Sequence, residues 1–136
     1  MSQLSKGETA QKFDTKNKLR GIRRLKDAVK NSARAVDWLC RNETAFRQEI
    51  FLLIGTVVVI SWWEISVYEK AALLGSVLFI IFAEIVNTAV EATIDRIGYE
   101  LHDLAGLAKD LGSAAVTVAI LISFIIWGAV VYHNSS

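Results

Sequence analysis

Three apolar blocks, separated by short charged segments and preceded by a polar, basic stretch, set the layout of the chain. The first runs from Ile50 to Trp63. The second starts at Ala71, is uninterrupted to Ala83, and carries a polar stripe on to about Ile97. The third runs from Leu111 to Tyr132 without a charge. A spanning helix needs about 20 mostly apolar residues. Block three supplies them outright. Block two supplies them between Ala71 and Val90, so its helix is expected to continue past the membrane. Block one is short, and reaches the length when extended back through Phe46. Arg47, Gln48 and Glu49 then lie at headgroup depth, with Trp62 and Trp63 in the opposite aromatic belt. Spans are predicted over about 46–63, 71–97 and 111–132, joined by loops over Glu64–Lys70 and Tyr99–Asp110.

Ahead of the blocks, Leu19, Ile22, Leu25, Val29, Ala33, Val36 and Cys40 recur at three- and four-residue spacing, as one side of an amphipathic helix does. Arg20, Arg23, Arg24, Lys26, Lys30 and Arg34 flank that stripe. This predicts a helix over 16–41 on an anionic membrane surface, although the same stripe could pack on the chain's own spans. Residues 1–15 lack periodicity and are expected to be a disordered tail; 42–136 form the three-span domain. Asn42 is expected to cap the next helix, with Glu43 in its first turn.

Composition sharpens this picture in one respect. The formal charge of +1 conceals an asymmetry, since twelve of the fifteen Lys and Arg residues precede Gln48. By the positive-inside rule the N-terminus and the second loop face the cytoplasm, and the C-terminus and the loop Glu64–Lys70 face outward. The absence of Pro suits a helical chain. One cysteine, Cys40, excludes a disulfide framework or a zinc motif. No cleaved signal peptide, internal repeat or nucleic-acid partner is expected.

The candidate chemistry lies in block two. Glu84, Asn87, Glu91 and Asp95 fall at offsets of 3, 7 and 11 residues, on one face of a helix. Carboxylates at membrane depth are costly and usually mark function. Glu84 and Glu91 are two turns apart, roughly 10 Å along the axis, too far for one ion to bind both. Glu91 could hold Mg²⁺ together with phosphate oxygens, with Glu43 as the second carboxylate. Glu84 could take a proton from a lipid hydroxyl, oriented by Asn87. Lys109 could neutralise phosphate charge. No Walker A or kinase glycine-rich loop occurs. Residue spacing alone therefore leaves two classes open, a membrane enzyme or a proton-coupled carrier using Glu84.

The runs AEIVNTAVEATIDRIG and HDLAGLAKDLGSAAV, with NETAFRQE upstream, resemble the signature of the prokaryotic diacylglycerol kinase family from about Arg23 to the end of the third span. Asn31, Ala33 and Cys40 stand where that family commonly has bulkier aromatics. The resemblance implies an all-α membrane protein, with a surface helix and three spans, assembled as a homotrimer in the bacterial inner membrane. It implies transfer of the γ-phosphoryl of MgATP to diacylglycerol, giving phosphatidate; some relatives of the same fold phosphorylate undecaprenol. Glu84 resembles the general base and Glu43 and Glu91 the metal carboxylates. Asn87, Lys109 and Asp110 match active-site positions. Arg24, Asn31, Glu43, Glu91, Glu100, His102, Lys109 and Asp110 match nucleotide contacts. Arg24, Ser32, Phe46, Arg47, Gln48, Glu49, Glu84, Ser113 and Trp127 match lipid contacts.

Overall fold

A computed structural model describes residues 21–97 and 103–136, and every regular element among them is a helix. In chain order these are α1 (Ile22–Asn42), α2 (Thr44–Trp62), α3 (Val67–Ile97) and α4 (Asp103–Ser135). The expected tail over 1–15 and the first residues of the amphipathic helix lie outside the described residues, as do Glu100 and His102.

The chain divides into two compact units, Met1–Asp37 and Trp38–Ser136. In the first, Gly21 adopts a left-handed backbone (φ 75°), a conformation glycine reaches without a Cβ clash. Its carbonyl accepts the first bonds of α1, from the N–H groups of Arg24 and Leu25. Ile22, Leu25 and Val29 form an exposed apolar stripe on that helix, as the three- and four-residue spacing requires.

In the second unit α2, α3 and α4 are each long and apolar enough to cross a membrane. α3 is the central element: half of its apolar window is buried, against 17% for α2 and for α4. Leu39, Phe46 and Ile81 make one packing cluster; Ile60, Leu73 and Val130 make a second; Ile80, Ala83 and Ala119 make a third. Small residues at the α3–α4 contact let two backbones approach where lipid offers no hydrophobic drive between helices. Large apolar side chains such as Phe51, Phe124 and Ile125 remain exposed, as lipid-facing positions do.

Several boundaries and one cap differ from the sequence expectation. α3 starts at Val67 because Ser66 and Glu69 form a capping box. The Ser66 N–H donates to Glu69 Oε2 (2.8 Å) and the Glu69 N–H to Ser66 Oγ (3.2 Å), satisfying two orphan donors of the first turn. α4 starts at Asp103, so most of the expected Tyr99–Asp110 loop is helix. Its acidic first residue and the helix formers Leu104, Ala105, Leu107 and Ala108 outweigh Gly106. Finally, Asn42 does not cap α2. Its Nδ2 donates to the Trp38 carbonyl (2.8 Å), closing the end of α1, and Glu43 occupies the cap position instead.

Candidate active site

The polar stripe of α3 emerges from the packed interior by degrees. Glu84 is 7% exposed and Asn87 9%; Glu91, one turn on, is half-buried, and Asp95 is exposed. One helical face thus carries carboxylates at two depths, as the spacing predicted. Asn87 lies between Glu84 and Glu91 and bonds the second, its Nδ2 donating to Glu91 Oε1 at 3.4 Å. That bond fixes the amide orientation, because the reverse would set a carbonyl oxygen against a carboxylate.

α4 completes this face. Gly112 lies against Asn87 so closely that a Cβ there would overlap the carboxamide oxygen. That oxygen is buried without a hydrogen-bond partner. Three residues earlier, Lys109 Nζ meets Asp95 Oδ1 at 2.6 Å. Lys109 therefore engages the acidic stripe from a helix, one turn below Gly112. Asp110 and Ser113 are on the same helix and exposed.

The third contribution comes from the junction of α1 and α2. Glu43 sits between the helices, half-buried, with its carboxylate making no capping bond. The charges of Glu43 and Glu91 both bear on Glu84, and the charge of Glu84 bears on Glu49. Among the described residues no Lys or Arg forms an ion pair with any of these four carboxylates, and no hydrogen bond reaches Glu84 or Glu49. Glu49 Oε2 is buried and unpartnered. Like charges held together at membrane depth are unfavourable unless a cation, a proton or a ligand joins them.

Below these groups opens a cavity of about 810 Å³, lined by α2, α3 and α4. Gln48, Glu49 and Glu84 stand at one end and Thr56, Ser123 and Trp127 farther along, with apolar side chains such as Leu52, Ile80 and Ile120 between. Its size and mostly apolar lining are those of a small-molecule site.

From the expected set, Glu43, Glu49, Glu84 and Glu91 bear on one another through their charges, Asn87 bonds Glu91, and Lys109 pairs with Asp95. Gln48, Glu49, Glu84 and Trp127 line the cavity. Phe46 instead is a packing residue, 1% exposed, between Leu39 and Ile81. Arg47 turns its guanidinium toward the end of α1. Arg24, Asn31 and Ser32 belong to the first unit, where all three are exposed and Asn31 Oδ1 accepts a bond from Arg34 (2.7 Å). Sequence reasoning missed Gly112, the Asp95–Lys109 pair, and the buried hydroxyls of Thr56, Ser76 and Ser123. Ser76 and Ser123 share a hydrogen bond of 3.1 Å between α3 and α4. Isolated hydroxyls inside apolar blocks were the available signal.

Residues 30–131 match the prokaryotic diacylglycerol kinase family. The chain is 40% identical over 111 residues to a protein of Escherichia coli K12 named diacylglycerol kinase, covering 82% of this chain and 91% of that one. It is 37% identical over 115 residues to the protein of that name from Haemophilus influenzae, covering 85% and 98%. For Pseudomonas aeruginosa the figures are 34% over 110 residues, 81% and 89%.

Proposed function

The chain belongs to the prokaryotic diacylglycerol kinase family, and from that membership we propose the following mechanism for an ATP-dependent diacylglycerol kinase of the bacterial inner membrane. The observation that carries it is the position of Glu84. It is buried, without a hydrogen-bond partner among the described residues, at the end of an apolar cavity that Glu49 also lines, and the charges of Glu43 and Glu91 bear on it. The cavity receives the acyl chains and brings the glycerol hydroxyl to Glu84. As that oxygen bonds to the γ-phosphorus of ATP, the bond from phosphorus to the bridging oxygen breaks and ADP leaves. Glu84 takes the hydroxyl proton.

Among the described residues no group of three or more His, Cys, Asp or Glu side chains could cage a metal. Two carboxylates from different elements are what a Mg²⁺ arriving with nucleotide phosphates requires, since it keeps few protein ligands. Glu43 and Glu91 fit that role, and the ion would supply neutralisation of phosphate charge. Asn87 orients Glu91. Lys109, released from Asp95, meets the transferred phosphoryl group, with Asp110 beside it. Phosphoryl transfer asks for positioning and charge balance rather than covalent catalysis, and these groups provide both.

The N-terminus and the α3–α4 connection face the cytoplasm and the C-terminus the periplasm, a direction supported by the basic N-terminal third of the sequence. The active assembly is a homotrimer. The broad apolar surfaces on α2 and α4 leave room for neighbouring copies beside lipid.

Purified protein in mixed micelles, given γ-labelled ATP and Mg²⁺ with diacylglycerol or undecaprenol in parallel, tests the reading. Labelled phosphatidate is expected. Label only on undecaprenol would overturn the substrate, and label on neither would overturn the kinase mechanism.

A further inference from the structure

One side chain holds the joint between α1 and α2. Arg47, in the first turn of α2, reaches back across it. Its Nη1 donates to the carbonyls of Cys40 (3.2 Å) and Arg41 (3.4 Å), and its Nη2 to Thr44 Oγ1 (2.9 Å). The last carbonyls of a helix have no partners within it. A guanidinium, with donors in a fixed fork, can serve two of them and a third acceptor at once.

Glu43 lies inside this bracket. Its N–H closes α1 on the Leu39 carbonyl (2.8 Å), and its own carbonyl accepts from the Arg47 N–H (3.4 Å). Its backbone is extended, at φ −107° and ψ 117°, and its carboxylate caps nothing. The main chain of Glu43 is therefore tied on both sides while its side chain is released. Phe46, buried on Leu39 and Ile81, seats the same turn against α3, the helix that carries Glu84 and Glu91.

We infer that Arg47 is a positioning residue rather than a lipid ligand. It acts through Glu43, holding that carboxylate in register with Glu84 and Glu91, and so sets the affinity of the site for a divalent cation. The inference rests on the reading of Glu43 as a metal carboxylate. Lysine would keep the charge at position 47 but lose the fork, so Arg47→Lys separates geometry from charge.

Three readouts on the full chain in detergent micelles test this. Hydrogen exchange of the amides from Glu43 to Arg47 is expected to quicken in Arg47→Lys; unchanged exchange overturns the clamp. Binding of Mn²⁺ with a non-hydrolysable ATP analogue, followed by electron paramagnetic resonance, is expected to weaken by about tenfold, as for loss of an outer-shell partner. The KM for diacylglycerol is expected to stay near that of the parent. Parental Mn²⁺ affinity with a raised lipid KM would overturn the inference and make Arg47 a lipid contact. Glu43→Gln run alongside tests the underlying reading. If it binds Mn²⁺ as the parent does, the metal role of Glu43 fails and the inference falls with it, whatever the exchange data show.

Discussion

Helix α3 carries two glutamates, Glu69 and Glu84, that meet opposite fates. Glu69, in its first turn, is half-buried and has both oxygens engaged. One oxygen accepts from the Ser66 N–H and the other from Asn134 Nδ2 (2.8 Å), tying the start of α3 to the end of α4. Glu84 is buried, no hydrogen bond reaches it among the described residues, and two other carboxylates bear on it. Glu69 holds its helices together with both oxygens hydrogen-bonded. Glu84 sits in a packed interior with its acceptors unspent, and native proteins tolerate that where the missing partner is a substrate, an ion or a proton. Unsatisfied chemistry, more than charge as such, separates the working end of this bundle from its structural end.

The comparison breaks most visibly if the two ends are not independent. Removing the base at Glu84 is expected to lower phosphoryl transfer by about 10²–10⁴-fold, the usual worth of general base catalysis, with the thermal transition in detergent unchanged. Glu91→Gln is expected to raise the Mg²⁺ concentration needed for half-maximal rate by at least about tenfold, because a metal that keeps few protein ligands loses one of them. That shift is read from rates over a magnesium titration. A smaller effect, about tenfold on kcat, is expected for Gly112→Ala, since the added methyl displaces the Asn87 carboxamide that orients Glu91. Unchanged kcat in that variant would remove Asn87 from the mechanism.

Away from the acidic face the expected effects are on stability. Ser66→Ala removes the capping hydroxyl of α3 and is expected to cost about 1 kcal/mol. Ser123→Ala breaks the hydrogen bond to Ser76 and is expected to cost about 0.6 kcal/mol, the average for a polar contact between membrane helices. Reversible unfolding in mixed micelles measures both.

Much of this was legible along single helices. The offsets from Glu84 to Asp95 place the working groups on one face, and block lengths give the three spans. What escaped notice lies between helices or at their ends. The close approach of Gly112 to the Asn87 carboxamide depends on how two helices pack, and no periodicity in either reports it. Asn42 has the composition of a cap for α2, yet its amide is spent on Trp38 behind it, because α1 runs on to meet it. The family resemblance makes Arg47 a lipid contact, and only the carbonyls at the end of α1 show another use for it. The Ser66–Glu69 capping box is written in the sequence as S-x-x-E, ahead of the hydropathy that begins at Ala71.

The central claim is that Glu84, left unsatisfied, does the proton chemistry while Glu69, fully bonded, does not. It is tested most directly by a matched pair, Glu84→Gln and Glu69→Gln, assayed for transfer of labelled γ-phosphate from MgATP to diacylglycerol at equal folded protein. The expected result is transfer lowered by about 10²–10⁴-fold in Glu84→Gln and kept near the parental rate in Glu69→Gln. Parental turnover in a folded Glu84→Gln protein would contradict it.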